Sequence, residues 1–270
     1  MRTPADHRAT RAAGGTVHVA EYGRGRAVVL LHGMPSSTQC FEPLVRALSE
    51  THRVVVPDLP GYGQTPALDG AYTLPRVQAL LEAELLSRGV ERAIVAGYSG
   101  GAYRALTLAL SSRIQVDAVI SIAGFAGLDA DSGEAFRGLA QLLRRDGVEG
   151  FRGSWLARMA GPGFAEKHPV EAGEVLSWLD STSALTLASE LEAISAADDL
   201  RPLLPCLSVP VMATAGAVDA SVPSAWGEAI VGAVPQGELR LVPGCGHAIL
   251  YEDTEGTVEA LREFVVRVTG

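Results

Sequence analysis

Apolar residues along this chain follow two rhythms. Short apolar runs at 27–31, 53–58, 93–98, 117–123 and 209–216, with an alternating one at 238–242, have the character of strands in a covered parallel sheet. Between them apolar residues return every three or four positions, which is helical spacing. Phe41, Leu44, Val45 and Leu48 mark one such stretch. Thr73 is a candidate N-cap for a second, which runs to Arg88 and stops at Gly89. Others cover 100–110, 223–234 and 254–268, the last with Val258, Leu261, Phe264, Val265 and Val268 as its buried stripe. Near the start, 16–22 alternates as an antiparallel edge strand does, with His18 as an exposed strand residue. A weaker strand at 8–13 and a turn at Gly14-Gly15 precede it. Eight candidate strands interleaved with helices predict an α/β fold, with a mostly parallel sheet and right-handed crossovers.

The alternation breaks from 126 to 205. Helical stretches at 134–145, 153–159, 170–179 and 186–196 follow one another with no strand between them. This divides the chain into a core, 1–125 and 206–270, and a helical insertion lying over the carboxyl ends of the strands, where α/β sheets bind ligands. Trp155, Met159, Phe164 and Trp178 fall inside it. Each alone suits packing between insertion and body. As a group, Trp155, Met159 and Trp178, with Tyr98 from the core, are the candidate lining of a substrate pocket.

Composition narrows the partners. A chain of 270 residues can bury a large core, and a net charge of −9 argues against nucleic acid or an anionic membrane. No apolar run approaches the roughly 18 residues of a membrane span, and 1–15 has no signal-peptide core. Three cysteines, Cys40, Cys206 and Cys245, form neither an even framework nor a metal-site spacing, which fits a reduced cytoplasmic setting without metal. Cys245 precedes His247 by two residues, but a small buried cysteine is the reading taken. The expected partner is a small-molecule substrate, with the chain a monomer or homodimer.

Candidate chemistry sits where strands end. The run 93–98 leads into Gly97-Tyr98-Ser99-Gly100-Gly101, and a helical pattern follows at once. A sharp strand-to-helix turn at Ser99 would strain the backbone, lift the hydroxyl clear and crowd the flanking residues, which favours Gly97 and Gly101. Asp219 follows the run 209–216, and His247 follows 238–242. A serine hydroxyl becomes a useful nucleophile when a histidine takes its proton. A carboxylate on the other ring nitrogen fixes the tautomer and tolerates the imidazolium.

With these residues in the order Ser, Asp, His, the chain resembles the α/β-hydrolase superfamily over nearly its whole length. The shared features include His32-Gly33 after the third strand and Asp58-Leu59-Pro60-Gly61-Tyr62-Gly63 after the fourth. The elbow at Ser99, Asp219 and Gly246-His247 complete them. The resemblance implies an α/β-hydrolase fold with an eight-stranded sheet, helices on both faces and a helical cap. It also implies catalytic Ser99, Asp219 and His247, an oxyanion hole from the backbone N–H groups of Gly100 and Met34, and no cofactor. His32 is expected to support the oxyanion loop, and Glu252 and Asp253 are rival acids to Asp219. A serine at 99 sets the chain apart from the aspartate-using dehalogenases and epoxide hydrolases of this fold. The reaction expected is hydrolysis of a small or medium ester, lactone or thioester. C–C bond or aminopeptide hydrolysis on the same triad, and a non-catalytic receptor for a small ligand, are the alternatives.

Overall fold

A computed structural model describes residues 6–12 and 15–270, and side chains from residue 17 onward. The expected turn residue Gly14, and Ala13 at the end of the first expected strand, lie outside them. Eight strands form one sheet: β1 (Asp6–Ala12), β2 (Gly15–Tyr22), β3 (Ala27–Leu31), β4 (Arg53–Pro57), β5 (Arg92–Tyr98), β6 (Gln115–Ile122), β7 (Val211–Gly216) and β8 (Gly237–Val242). Their order is β1-β2-β4-β3-β5-β6-β7-β8. From β4 to β8 all neighbours are parallel, while β2 runs antiparallel to both β1 and β4. Every residue of β3 and β7 is buried, as unbroken apolar runs require, and each buried Val or Leu contributes about 1.5–3 kcal/mol. β8 closes the sheet with Leu239 and Leu241 exposed at 38% and 44%.

The structure corrects one expectation about β2. It is an interior strand, and His18 is buried with its Nδ1 2.9 Å from Asp58 Oδ2. Its alternation reads as an edge because polar His18 and Glu21 are spent on side-chain partners, buried Asp58 and half-buried Arg53.

Helices cover both faces of the sheet. Those of the first half are α1 (Glu42–Leu48), α2 (Leu74–Ser87) and α3 (Gly100–Ser111). Between β6 and β7 come α4 (Ala130–Asp146), α5 (Glu149–Met159), α6 (Phe164–Lys167), α7 (Pro169–Asp180) and α8 (Ala184–Ser195). The last are α9 (Ser224–Ala233), α10 (Ile249–Glu252) and α11 (Thr254–Thr269). Thr73 caps α2 through a bond from Arg76 N, as its position before Leu74-Pro75 predicts. α4 starts four residues ahead of its expected start because Asp129 accepts from Ser132 N at 2.8 Å and sets the first turn there. In α11, Leu261, Phe264 and Val265 are buried, with Val258 and Val268 partly so. Among the described residues no helix is long and apolar enough to cross a membrane.

β3 has β4 on one side and β5 on the other, so chain direction across the sheet switches there. The crevice at such a point opens at the carboxyl ends of the strands. Residues after β3 and β5 face it, and three of the five inserted helices, α4, α5 and α8, supply the opposite wall.

Candidate active site

The turn from β5 to α3 is a single residue, Ser99, with φ 54° and ψ −122°. A non-glycine residue rarely adopts such a conformation, which costs of order 1–3 kcal/mol. The bonds on either side hold it: Ser99 N donates to Ile122 O at 2.8 Å, and Ala102 N donates to Ser99 O at 2.9 Å. The flanking glycines are required by space, since a Cβ on Gly97 would collide with the Gly101 carbonyl and one on Gly101 with the Leu31 carbonyl. Serine at the apex is therefore half-exposed on a closely packed backbone.

Ser99 Oγ lies 3.0 Å from His247 Nε2, and His247 Nδ1 lies 2.7 Å from Asp219 Oδ2. A carboxylate only accepts, so Nδ1 carries the proton and Nε2 is left to accept the serine hydroxyl. Asp219 follows β7, and its other oxygen accepts from the backbone N–H groups of Ser221 and Val222, both at 2.8 Å. The carboxylate thus has three donors and one orientation. Both His247 and Asp219 are buried, which strengthens the pair and keeps water from competing for it.

The rival acids are engaged elsewhere. Glu252 accepts from Gly246 N at 2.9 Å and from Gly161 N at 2.7 Å, joining the His247 loop to the segment after α5. Burial pushes its carboxyl above the usual range, more than these two bonds lower it. Asp253 pairs with Arg240. Cys245 is buried and its thiol is pushed up to about 11, so it offers no thiolate beside His247.

One side chain, His32, holds the frame from behind. His32 Nδ1 donates to Gly33 O and its Nε2 accepts from Leu59 N, each at 2.9 Å, tying the loop after β3 to the loop after β4. Burial lowers its pKa, so it stays neutral and keeps both roles. That loop lies against the elbow: a Cβ on Gly33 would be 2.7 Å from Ser99 Cβ and 3.4 Å from Gly100 N. Met34 and Gly100 both border the cavity beside Ser99, and α3 leaves its first N–H groups without partners inside the helix. This is a site where a developing negative oxygen can be held.

The cavity above Ser99 and His247 measures about 250 Å³. Trp155 and Met159 line it as expected. Tyr98 and Trp178 do not. Tyr98 is fully buried beneath the site, where its hydroxyl donates to His247 O at 3.0 Å and its ring lies 5.3 Å from the imidazole. Period-two alternation explains this: Tyr98 is the last strand residue and points into the protein. Trp178 packs edge-on against Tyr251, ring centroids 5.2 Å apart, because α7 turns that face toward α10. Phe125, Phe136, Phe151, Leu191, Ile194 and Trp226 line the cavity without having been singled out in the sequence. Their signal is no stronger than that of any core residue.

A second unanticipated feature is Arg104, whose Nη2 lies 2.6 Å from Glu190 Oε1, both side chains being buried. It was visible as the lone charge in Gly100–Ser111, an otherwise small and apolar helix. A groove of about 950 Å³ between α2, α3 and residues 196–206 is larger than the cavity but holds none of Ser99, Asp219 and His247.

Comparisons with known proteins identify the family and the fold. A profile described as "Alpha/beta hydrolase family" matches residues 28–260. The chain is 30% identical over 260 residues to the pimeloyl-[acyl-carrier protein] methyl ester esterase of Xanthomonas campestris pv. campestris, covering 92% of this chain and 98% of that protein. It is 25% identical to a putative carbamate hydrolase of Escherichia coli, covering 87% of each. A thermophilic esterase from Thermogutta terrifontis, solved with malate bound, superposes with a TM-score of 0.88 at 26% identity, over 98% of this chain and 99% of that one.

Proposed function

Because the chain belongs to the alpha/beta hydrolase family and is a hydrolase acting on ester bonds, we propose that it cleaves a small or medium carboxylic ester, lactone or thioester through Ser99, His247 and Asp219. The observation that carries this reading is the line Ser99 Oγ, His247 Nε2, His247 Nδ1, Asp219 Oδ2, with steps of 3.0 and 2.7 Å. Ser99 attacks the acyl carbon while His247 takes its proton. The carbonyl oxygen becomes an oxyanion between the N–H groups of Gly100 and Met34. His247 then protonates the leaving alcohol or thiol, leaving an acyl-Ser99 ester. Water, deprotonated by the same imidazole, attacks that ester, and the collapse returns the proton to Ser99 as the acid departs. Asp219 keeps Nδ1 protonated throughout and stabilises the imidazolium.

Phe125, Phe136, Trp155, Met159, Leu191 and Ile194 make most of the lining apolar, which supports an apolar acyl or alcohol group, while Arg158 also borders the cavity. We take 126–205 as a cap that selects which esters reach Ser99. Ser99→Ala and His247→Ala, assayed on a p-nitrophenyl ester, are each expected to lower kcat by about 10⁶. Turnover unchanged in either variant sinks the assignment.

A further inference from the structure

Behind the cavity wall, Arg104 of α3 and Glu190 of α8 form an ion pair exposed at only 2% and 0%. Neither moves a proton in the reaction above. Arg104 Nη1 also donates to Gly100 O at 2.9 Å, which ties the side chain to the first residue of α3. Tyr72 accepts from Arg104 Nη2 at 3.1 Å, and the Tyr62 hydroxyl donates to Glu190. A Cβ built on Gly100 would lie 3.2 Å from Arg104 Nη1 and 3.7 Å from Glu190 Oε1.

That proximity has an electrostatic consequence. The Glu190 carboxylate sits a few ångströms from the residue whose N–H faces the developing oxyanion. Unpaired, a buried anion there opposes a second one by about a hundredfold in rate at an effective dielectric near 20. Other groups facing Glu190 do not offset it. Tyr62 and Tyr72 are neutral, their hydroxyl pKa values raised by burial, and His32 is kept neutral by burial too. Arg104 supplies the compensating charge.

We propose that Arg104 is a positioning residue for the hydrolysis: from behind the elbow helix it cancels the charge of the buried Glu190 carboxylate, so that no unpaired anion faces the oxyanion held at Gly100. This rests on Ser99 as nucleophile and Gly100 as oxyanion donor.

The test compares R104Q, E190Q, the R104Q/E190Q double variant and R104K with the parent on p-nitrophenyl butyrate from pH 6 to 9. Melting curves report folding. R104Q is expected to lose about a hundredfold in kcat near pH 9 with KM little changed, because the lost interaction is made only in the transition state. E190Q, R104K and the double variant, in which no buried anion stands alone, keep kcat within about tenfold. Should R104Q fail to fold, R104M, which keeps the length of the side chain without its charge, takes its place. A double variant or E190Q that loses a hundredfold in kcat makes the pair merely structural and overturns the proposal. So does an R104Q or R104M variant that folds and keeps kcat within about tenfold. Turnover that survives Ser99→Ala would instead sink the hydrolase reading. Turnover that depends on Ser99 but ignores these charges sinks only this one.

Discussion

The two walls of the cavity are built on different principles. On one side, loops after β3, β5, β7 and β8 present Met34, Ser99, Ser221 and His247, with Asp219 behind His247 and held by the backbone N–H groups of Ser221 and Val222. On the other, α4, α5 and α8 present Phe136, Trp155, Met159 and Leu191, whose places depend on how helices pack. The first wall is polar, and a small displacement there removes a hydrogen bond. The second is mostly apolar, and a small displacement there changes mainly volume. In the proposed function, chemistry belongs to the loops after the strands and discrimination among substrates to the insertion.

The widest break in that comparison comes from Asp219→Asn. The amide oxygen is held by the backbone N–H groups of Ser221 and Val222, so the NH2 faces His247, donates to Nδ1 and moves the ring proton to Nε2; kcat is expected to fall by about 10⁴ with KM nearly unchanged. A loss below tenfold would mean that Glu252, the nearest other acid on the His247 loop, takes over, and that the loop wall is less fixed than its bonds imply.

Substitutions on the helical wall act on a smaller scale. Phe136 lies half-buried on α4 and borders the cavity, so Phe136→Ala adds room at one end. It is expected to shift preference toward longer acyl p-nitrophenyl esters by about tenfold in kcat/KM. Trp178→Ala is the counterpart: a buried ring of α7 that misses the cavity. It should cost about 3 kcal/mol in stability by urea titration and leave the acyl-length profile unaltered. If Trp178→Ala moves the profile and Phe136→Ala does not, the cavity is assigned to the wrong helices.

The same division explains what was legible in the sequence. Ser99, Asp219 and His247 could be read because their constraints are local. Glycines at 97 and 101 mark where backbone meets backbone, and each residue stands just after an apolar run. Trp155 and Trp178 look alike in sequence, one tryptophan in each of two helices, and only the rotation of each helix about its axis separates a cavity residue from one packed on Tyr251. Tyr98 is named by its neighbour Ser99 yet points the other way, as alternation along a strand dictates. His18 misled because a polar residue on an alternating strand signals water, and the pairing with Asp58 arrives from a strand end distant in sequence. Arg104 and Glu190 are 86 residues apart, and no local pattern links them.

The seam where the two walls meet offers the smallest and sharpest effect. Glu252 joins them, accepting one N–H from Gly246 beside His247 and one from Gly161 after α5, while Ala248 N donates to Met159 O at 2.5 Å. Burial raises the Glu252 carboxyl above its ordinary value of 4.5, with nearby Asp219 adding to the rise and His247 opposing it. The folded protein thus binds this proton more tightly than the unfolded chain. The associated stability is fully present below pH 4.5 and is lost as pH rises through the folded value, the reverse of a salt-bridged carboxylate. Glu252→Gln cannot titrate, so the difference in Tm between it and the parent should shift in favour of the variant from about pH 4.5 toward 7. Its kcat should fall only severalfold, since Asp219 still orients His247. A Tm difference that is constant across that range would mean that the carboxyl is as comfortable ionised at the seam as in water. The insertion would then be held by the main-chain bond of Met159 and not by Glu252.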